Sequence, residues 1–428
     1  MKQSMKLAAI MAGIVILSIV TGILLMTGLY AIPTSWMKEN AKDSAPLFEE
    51  GNNLQYNNWA SGQMYTNLAD YTDSIMVNTA MARPTGSALQ NAMLNAHVVY
   101  RNTEAPRNLV RYVSGDDGYE YETYARYWHG YLLYLIPGLC LMDLGQIRIV
   151  MLFFQFFAAL IFLWELGKRN RLLMLLFGVV ILFINPVTTA LSIGEANVYC
   201  VMMLTSLVVL RAGKKLTKKG LCILFLAGGI CTAFFDLLTY PVVAFAIPLL
   251  ILLGLKTEKL KKGLLDIVCY GLSWGMGYAG MWGGKWIAGS LITGKDVIRD
   301  AAETIQFRMN GEWGEGTNYR NAMGMIWRAV YSKPMFILLL IFLAILCYFI
   351  IRKGYRFEVG RTTVNSLIPV GIVGLIPFVW YLVAMNHTYI HPDVTYRELA
   401  ITISSIAIIL AAVLKKPGVC HPVSGKMK

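Results

Sequence analysis

The chain has 428 residues, of which 56% are hydrophobic and 15% charged, with mean hydropathy +0.53 and net charge +13. Soluble globular chains carry about 25% charged and 45–50% apolar residues. This composition therefore excludes a water-soluble enzyme and predicts an all-α polytopic membrane protein, a single membrane domain over 1–428. The seven cysteines lie in or beside apolar runs, except Cys420 in the tail, and the polar segment 32–125 has none. That excludes a disulfide framework, and zinc-ligand spacing is absent as well.

The first apolar run, 7–32, exceeds the roughly 7–15-residue core of a cleaved signal and precedes no small-residue cleavage site. It reads as a retained span with a cytoplasmic N-terminus. The polar segment that follows, 32–126, is the first outer loop. Structureless connections above about 12–15 residues are functional or disordered, and this one is too rich in Tyr, Trp, Leu and Met for disorder.

Its sharpest piece is NLADYTDSIMVNTA, 67–80. In a helix, Asp70 and Asp73 share one face, while Ile75, Met76 and Ala80 seat that helix on the membrane. Two such carboxylates can hold a divalent cation, magnesium or manganese. Alternatively, one serves as a base whose pKa its neighbour tunes. The plainer alternative is one capping aspartate and one solvated one. Further on, Asp116-Asp117-Gly118 reads first as a turn, with metal ligation by either aspartate the second reading.

Residues 127–142 are apolar but contain Trp128, His129, Gly130 and Pro137. A full crossing there would place the basic cluster Lys168, Arg169, Arg171 outside. Segment 127–145 is therefore expected to be an interfacial or re-entrant helix. In it His129 either rests its polar tip among headgroups, binds a phosphate, or orients a carboxylate.

Nine more apolar runs follow, at 147–166, 172–183, 198–210, 221–235, 242–255, 264–287, 336–351, 367–384 and 399–414, giving about ten spans once short runs are extended into their flanks. Lysines and arginines recur in the short segments between them, the positive-inside signature. An even count returns the basic tail, 415–428, to the cytoplasm. No basic patch with interleaved aromatics occurs, so nucleic acid is not an expected partner; the lipid bilayer is.

The outer connections carry the remaining polar chemistry. Glu195 and Asn197 lie in SIGEAN, and Asp236 in FFDLLTYP. A carboxylate at membrane depth faces a cavity or a partner, or caps a helix. The second outer loop, 288–335, carries Lys295, Arg299, Arg308, Arg320 and Arg328. Its stretch 299–307 can form an amphipathic surface helix, with one arginine reserved for a phosphate and the others solvated. The last outer loop, NHTYIHPDVTYREL, gathers His387, His391, Asp393, Tyr396 and Arg397. Arg397 runs against the positive-inside trend, which implies a local anion: a lipid phosphate gripped by its fork, or a salt bridge to Asp393 or Glu398. There is no G-x-S-x-G, H-E-x-x-H or P-loop. The spans are nearly free of charge, unlike those of a transporter.

The order of these pieces resembles the GT-C superfamily of polytopic glycosyltransferases, which includes protein O-mannosyltransferases and aminoarabinose transferases. An acidic motif (Asp70, Asp73) is followed by the interfacial segment WHGYLLYLIPGL and by LGQIRIVMLFFQFFAAL, a span preceded by Gly145 and Arg148. YWHGY, FFDLLTYP and NHTYIH-x-x-x-TYR are also similar to motifs of GT-C-like multi-span proteins from Gram-positive bacteria. The acidic motif departs from the family in being D-x-x-D and in lying further from the first span. The resemblance implies an inverting transferase in the cell membrane, moving a sugar from a polyprenyl phosphate to a cell-envelope acceptor on the outer face. Asp70 or Asp73 would be the base, and Arg397, with His391 and His387, would hold the donor phosphate. The alternatives are a flippase or transporter for lipid-linked precursors and a non-catalytic, lipid-binding GT-C-like subunit.

Overall fold

A computed structural model describes residues 2–48, 63–256, 259–311, 317–331 and 333–415. The proposed basic tail lies outside these residues except for Lys415. The described chain is helical almost throughout. Its strands are two minimal antiparallel pairs, β1 (His97–Val99) with β2 (Glu120–Glu122), and β3 (Arg356–Phe357) with β4 (Leu414–Lys415).

Helix α1 (Lys2–Tyr30) ends just before Pro33 and opens onto a layer of short helices: α2 (Lys38–Asp43), α3 (Asp70–Met81), α4 (Ala88–Leu94), α5 (Ala105–Val113) and α6 (Leu132–Leu139). Helices this short are marginal alone, so tertiary contacts must hold them. The Asn78 amide bonds both the N–H and the C=O of Val98, at 2.8 and 2.9 Å, tying α3 to β1. At its eight residues, α6 is about 12 Å long, well short of a roughly 30 Å hydrocarbon core.

Helix α7 (Leu144–Gly167) starts at a capping box made by Asp143 and Gln146. Asn170 caps α8 (Arg171–Ile184) by accepting from Leu172 and Leu173 N–H. Asn185, at φ 62°, ends α8 and caps α9 (Pro186–Leu191). Then come α10 (Ile193–Ala212), α11 (Lys218–Phe235), α12 (Val243–Leu255), α13 (Leu260–Thr293), α14 (Val297–Asn310), α15 (Tyr319–Val330) and α16 (Lys333–Arg352). The chain closes with α17 (Arg361–Gly374), α18 (Ile376–Val383), α19 (Met385–Ile390), α20 (Pro392–Thr395), a 3-10 turn (Tyr396–Leu399) and α21 (Ala400–Val413).

Among the described residues six helical stretches are long and apolar enough to cross a membrane: Met5–Tyr30, Leu144–Gly167, Ile193–Ala212, Lys218–Phe235, Thr363–Val383 and Pro392–Val413; Arg171–Ile184, Val243–Leu255 and Leu339–Arg352 are shorter apolar helices. Their faces match a lipid solvent. On α7 the outward side chains are Phe153, Phe154, Phe156, Phe157, Ile161 and Trp164, while its polar Arg148 and Gln155 are buried inside. A helix in water does the reverse. Helix α12 is buried on every side and forms the centre of the bundle. Such features make this an all-α, multi-pass membrane protein.

Helices α11 and α13 approach closely, and glycine permits it. A Cβ on Gly229 would lie 2.0 Å from the Trp274 carbonyl oxygen, and one on Gly277 2.3 Å from that of Leu226. Small residues at a helix interface let backbones pack where lipid supplies no hydrophobic drive between helices.

Candidate functional site

Asp70 opens α3 and Asp73 lies one turn on, so both carboxylates leave the same face. Arg148, on the buried face of α7, reaches them with a single nitrogen: Nη2 is 2.6 Å from Asp70 Oδ1 and 2.8 Å from Asp73 Oδ2. The two acids are 3% and 0% exposed, and Arg148 is 6% exposed. A charge buried this deeply must be paired, and the triad meets that need.

The two acids are not equivalent. Asp73 also accepts from the first N–H groups of α10, Ile193 N at 3.0 Å on Oδ2 and Gly194 N at 3.2 Å on Oδ1. In return Ser192 Oγ accepts from Ala69 N at 3.0 Å, so α3 and α10 cap each other. Burial pushes the Asp73 carboxyl above its usual range, against the opposing pull of Arg148 and the Ile193 N–H. Asp70 Oδ2, by contrast, is buried without a hydrogen-bond partner. Asp73 is therefore a saturated anchor, whereas Asp70 has one buried carboxylate oxygen without a partner.

One turn into α10, Glu195 forms a 2.7 Å ion pair with Arg397 Nη2. The remaining Arg397 donors go to backbone: Nε to Ile184 O at 2.9 Å and Nη1 to Asp393 O at 2.8 Å, with the Tyr396 ring 4.8 Å from the guanidinium. The Tyr240 hydroxyl donates to Glu195 O at 2.6 Å. Arg397 is 0% exposed. Its anion is thus Glu195 rather than the carboxylate of Asp393 or Glu398, and complete burial keeps its fork away from a lipid phosphate. The Glu398 carboxylate accepts Val242 N instead. Arg397 joins the end of α8 to the starts of α10 and α20.

Beside this lies a basic cluster. The His387 and His391 rings are 5.0 Å apart, and Arg308 Nη1 is 2.8 Å from His391 Nε2. An arginine can only donate, so Nε2 offers a lone pair and His391 is neutral. Burial, with Arg308 adding to it, lowers the His391 pKa to about 3, and burial lowers that of His387 as well. Arg126 and Arg308 flank a small gap lined also by Tyr127, Trp282, Trp286 and Thr304. Arg308 is thus a better-placed cation than Arg397 for a phosphate group.

Three expected positions prove to be structural. His129 is fully buried at φ 56°, with Nδ1 2.8 Å from the Tyr131 hydroxyl and Nε2 2.9 Å from Tyr124 O, and burial holds its pKa well below normal. Both ring nitrogens are satisfied, so neither phosphate nor carboxylate has access. Asp236 ends α11 and closes the next turn by accepting Thr239 N at 2.9 Å. Burial raises its pKa to about 6 although Thr239 opposes this. Asp116 accepts from Gly118 N and pairs with Arg111 at 2.7 Å, which makes it a turn; Asp117 is exposed.

A bridging cation does not fit the Asp70–Asp73 pair, because Arg148 Nη2 already holds the point between the two oxygens. Among the described residues no three or more His, Cys, Asp or Glu side chains converge. The signal missed in the sequence was Arg148 as the partner of the acidic motif; its place at the head of an apolar span marks it as needing an anion. No family model, curated protein or solved structure matches the chain.

Proposed function

We propose that this protein is a cell-membrane glycosyltransferase of GT-C type, moving a sugar from a polyprenyl-phosphate donor to a cell-envelope acceptor. Its topology would comprise about ten crossings with both termini cytoplasmic, so that α2–α6, α14 and α15 form the outer layer. The observation that carries the reading is the locked Asp70–Arg148–Asp73 triad with its one free carboxylate oxygen.

In this reading Asp70 Oδ2 takes the proton of the acceptor hydroxyl. The acceptor oxygen attacks the anomeric carbon as the carbon–oxygen bond to the lipid phosphate breaks, with inversion. The phosphate leaves with the bonding pair, and Arg308 beside His391 is the cation that would stabilise its charge. Asp73 and Arg148 are positioning residues that fix the base. A divalent cation enters no step, since the acids that were its best ligands are bridged by Arg148.

The test is sugar transfer by purified protein from a panel of polyprenyl-phosphate sugars. Asp70→Asn is expected to reduce turnover by about 10²–10⁴-fold, the range of a lost general base, with the fold intact. Full turnover in that variant would reject the reading. A second reading, a non-catalytic lipid-binding subunit, is favoured by one observation: Asp73, Glu195 and Arg397 are all buried and engaged within the protein. It expects no transfer from any donor and envelope phenotypes indifferent to Asp70→Asn.

A further inference from the structure

A cavity of about 810 Å³ lies away from the acidic triad. It lies where α8, α13 and α17 begin and α12 and α21 end. Arg397 and Glu398 bind at the opposite ends of α8 and α12 and just before α21 begins. Helices of 13–14 residues separate the two levels, so the cavity opens on the other side of the bundle.

Its walls are divided by chemistry. Leu173, Leu253, Leu367, Val370, Ile408 and Ala411 form an apolar floor between helices. Lys259, Lys261 and Lys415 form the basic part of the wall, and among the described residues no acid lines it. None of these three lysines has an ion-pair partner among the described residues. Asp266, two turns further along α13, pairs with Lys218. The N-terminus of α13, at Lys259, and that of α17, at Gly360, carry no side-chain cap. Their positive dipole ends meet at the same wall. Cations and uncapped helix starts above an apolar slot of ligand-pocket size suit a phosphate that carries a hydrocarbon chain.

The geometry points to a binding site for an anionic phospholipid of the leaflet at this basic end, its phosphate on the lysines and helix starts and an acyl chain between α8, α12, α17 and α21. This is independent of the transferase reading. The chain's own residues 416–428 are an unfavourable occupant, since they add three lysines and no acidic side chain.

The experiment uses full-length protein in detergent, incubated with phosphatidylglycerol or phosphatidylcholine and read by native mass spectrometry, with unfolding temperature as a check on folding. Wild type is expected to retain phosphatidylglycerol over phosphatidylcholine. The triple variant Lys259→Gln, Lys261→Gln, Lys415→Gln is expected to bind it roughly tenfold or more weakly, given the contribution of each lysine near an anionic headgroup. Ala412→Trp keeps the charges but fills the slot, and should also lose the lipid. Equal retention of the two lipids would overturn the proposal, as would unchanged binding in both folded variants. So would inorganic phosphate stabilising the protein as well as phosphatidylglycerol does, since the ligand would then be a soluble anion.

Discussion

Asp70 and Asp73 can be separated by one substitution each, because the structure gives them different numbers of partners. Asp73 accepts three hydrogen bonds, from Arg148 and from the N–H groups of Ile193 and Gly194, through both oxygens. Asparagine has one acceptor oxygen, and its NH₂ would then face at least one of these donors. With bonds to charged groups at about 1.5–3 kcal/mol each and a buried donor left unmet, Asp73→Asn should destabilise by roughly 3 kcal/mol. Asp70 uses Oδ1 alone, while Oδ2 has no partner. An asparagine oxygen can replace Oδ1, and the NH₂ then meets no donor but is one buried donor without an acceptor, so Asp70→Asn should destabilise by about 1–2 kcal/mol. Thermal unfolding in detergent reads the order, and transfer assays on the same samples read activity. The expected pattern is crossed: the milder fold defect goes with the greater loss of turnover per folded molecule. If Asp70→Asn were the more destabilising, or if Asp73→Asn alone removed turnover from folded protein, the assignment of anchor and base would be wrong.

Other outcomes follow from single contacts. Gly277→Ala forces a methyl against the Leu226 carbonyl and should destabilise by about 1–3 kcal/mol, whereas Gly283→Ala meets nothing within 4 Å and should be within about 0.5 kcal/mol of wild type; equal melting of the two would contradict the close α11–α13 packing. Arg148→Met leaves two buried acids without their cation and should cost about 3–5 kcal/mol, with much of it recovered when both acids are changed to asparagine in the same chain; a simply additive triple variant would count against the triad. His391 titrates near 6.5 when free and at about 3 when folded. The unfolded chain therefore binds the proton first, and stability present above 6.5 is lost as pH falls below it. His391→Gln should flatten this acid loss, and an unchanged slope would contradict a neutral buried His391. Asp236 acts with the opposite sign, its raised folded pKa adding stability as pH falls through about 6.

Much of the fold was legible because a lipid solvent writes a simple pattern. Long apolar runs became helices, and Asp70 and Asp73 fell within one helix as their spacing allowed. The segment at Asp116 closed the turn that its Asp-Asp-Gly sequence suggests. What the sequence could not reveal was pairing over distance. Arg148 lies 78 and 75 residues from its two acids, and Arg397 reaches a carbonyl 213 residues away. Arg397 was correctly read as needing an anion, but Glu195 on another helix supplies it, and local spacing holds no record of that. His129 misled for a related reason: a histidine beside aromatics looks available until its own Tyr124 and Tyr131 neighbours fold back on it.

Lys285 shows what such distances mean while the chain is being made. Buried in α13, its ammonium bonds the carbonyls of Ala92 and Met93 and the side chain of Asn95, closing the end of α4 about 190 residues earlier in the sequence. At a synthesis rate of about 5–20 residues per second, α4 waits on the order of 10–40 s for this contact. Until then the Ala92 and Met93 carbonyls lack the ammonium that closes them, while Leu94 O already has Tyr124 N and the sheet that follows is tied by Asn78. The end of α4 is thus translated early and closed late. A ribosome stalled anywhere before α13 would leave the end of α4 without this cation.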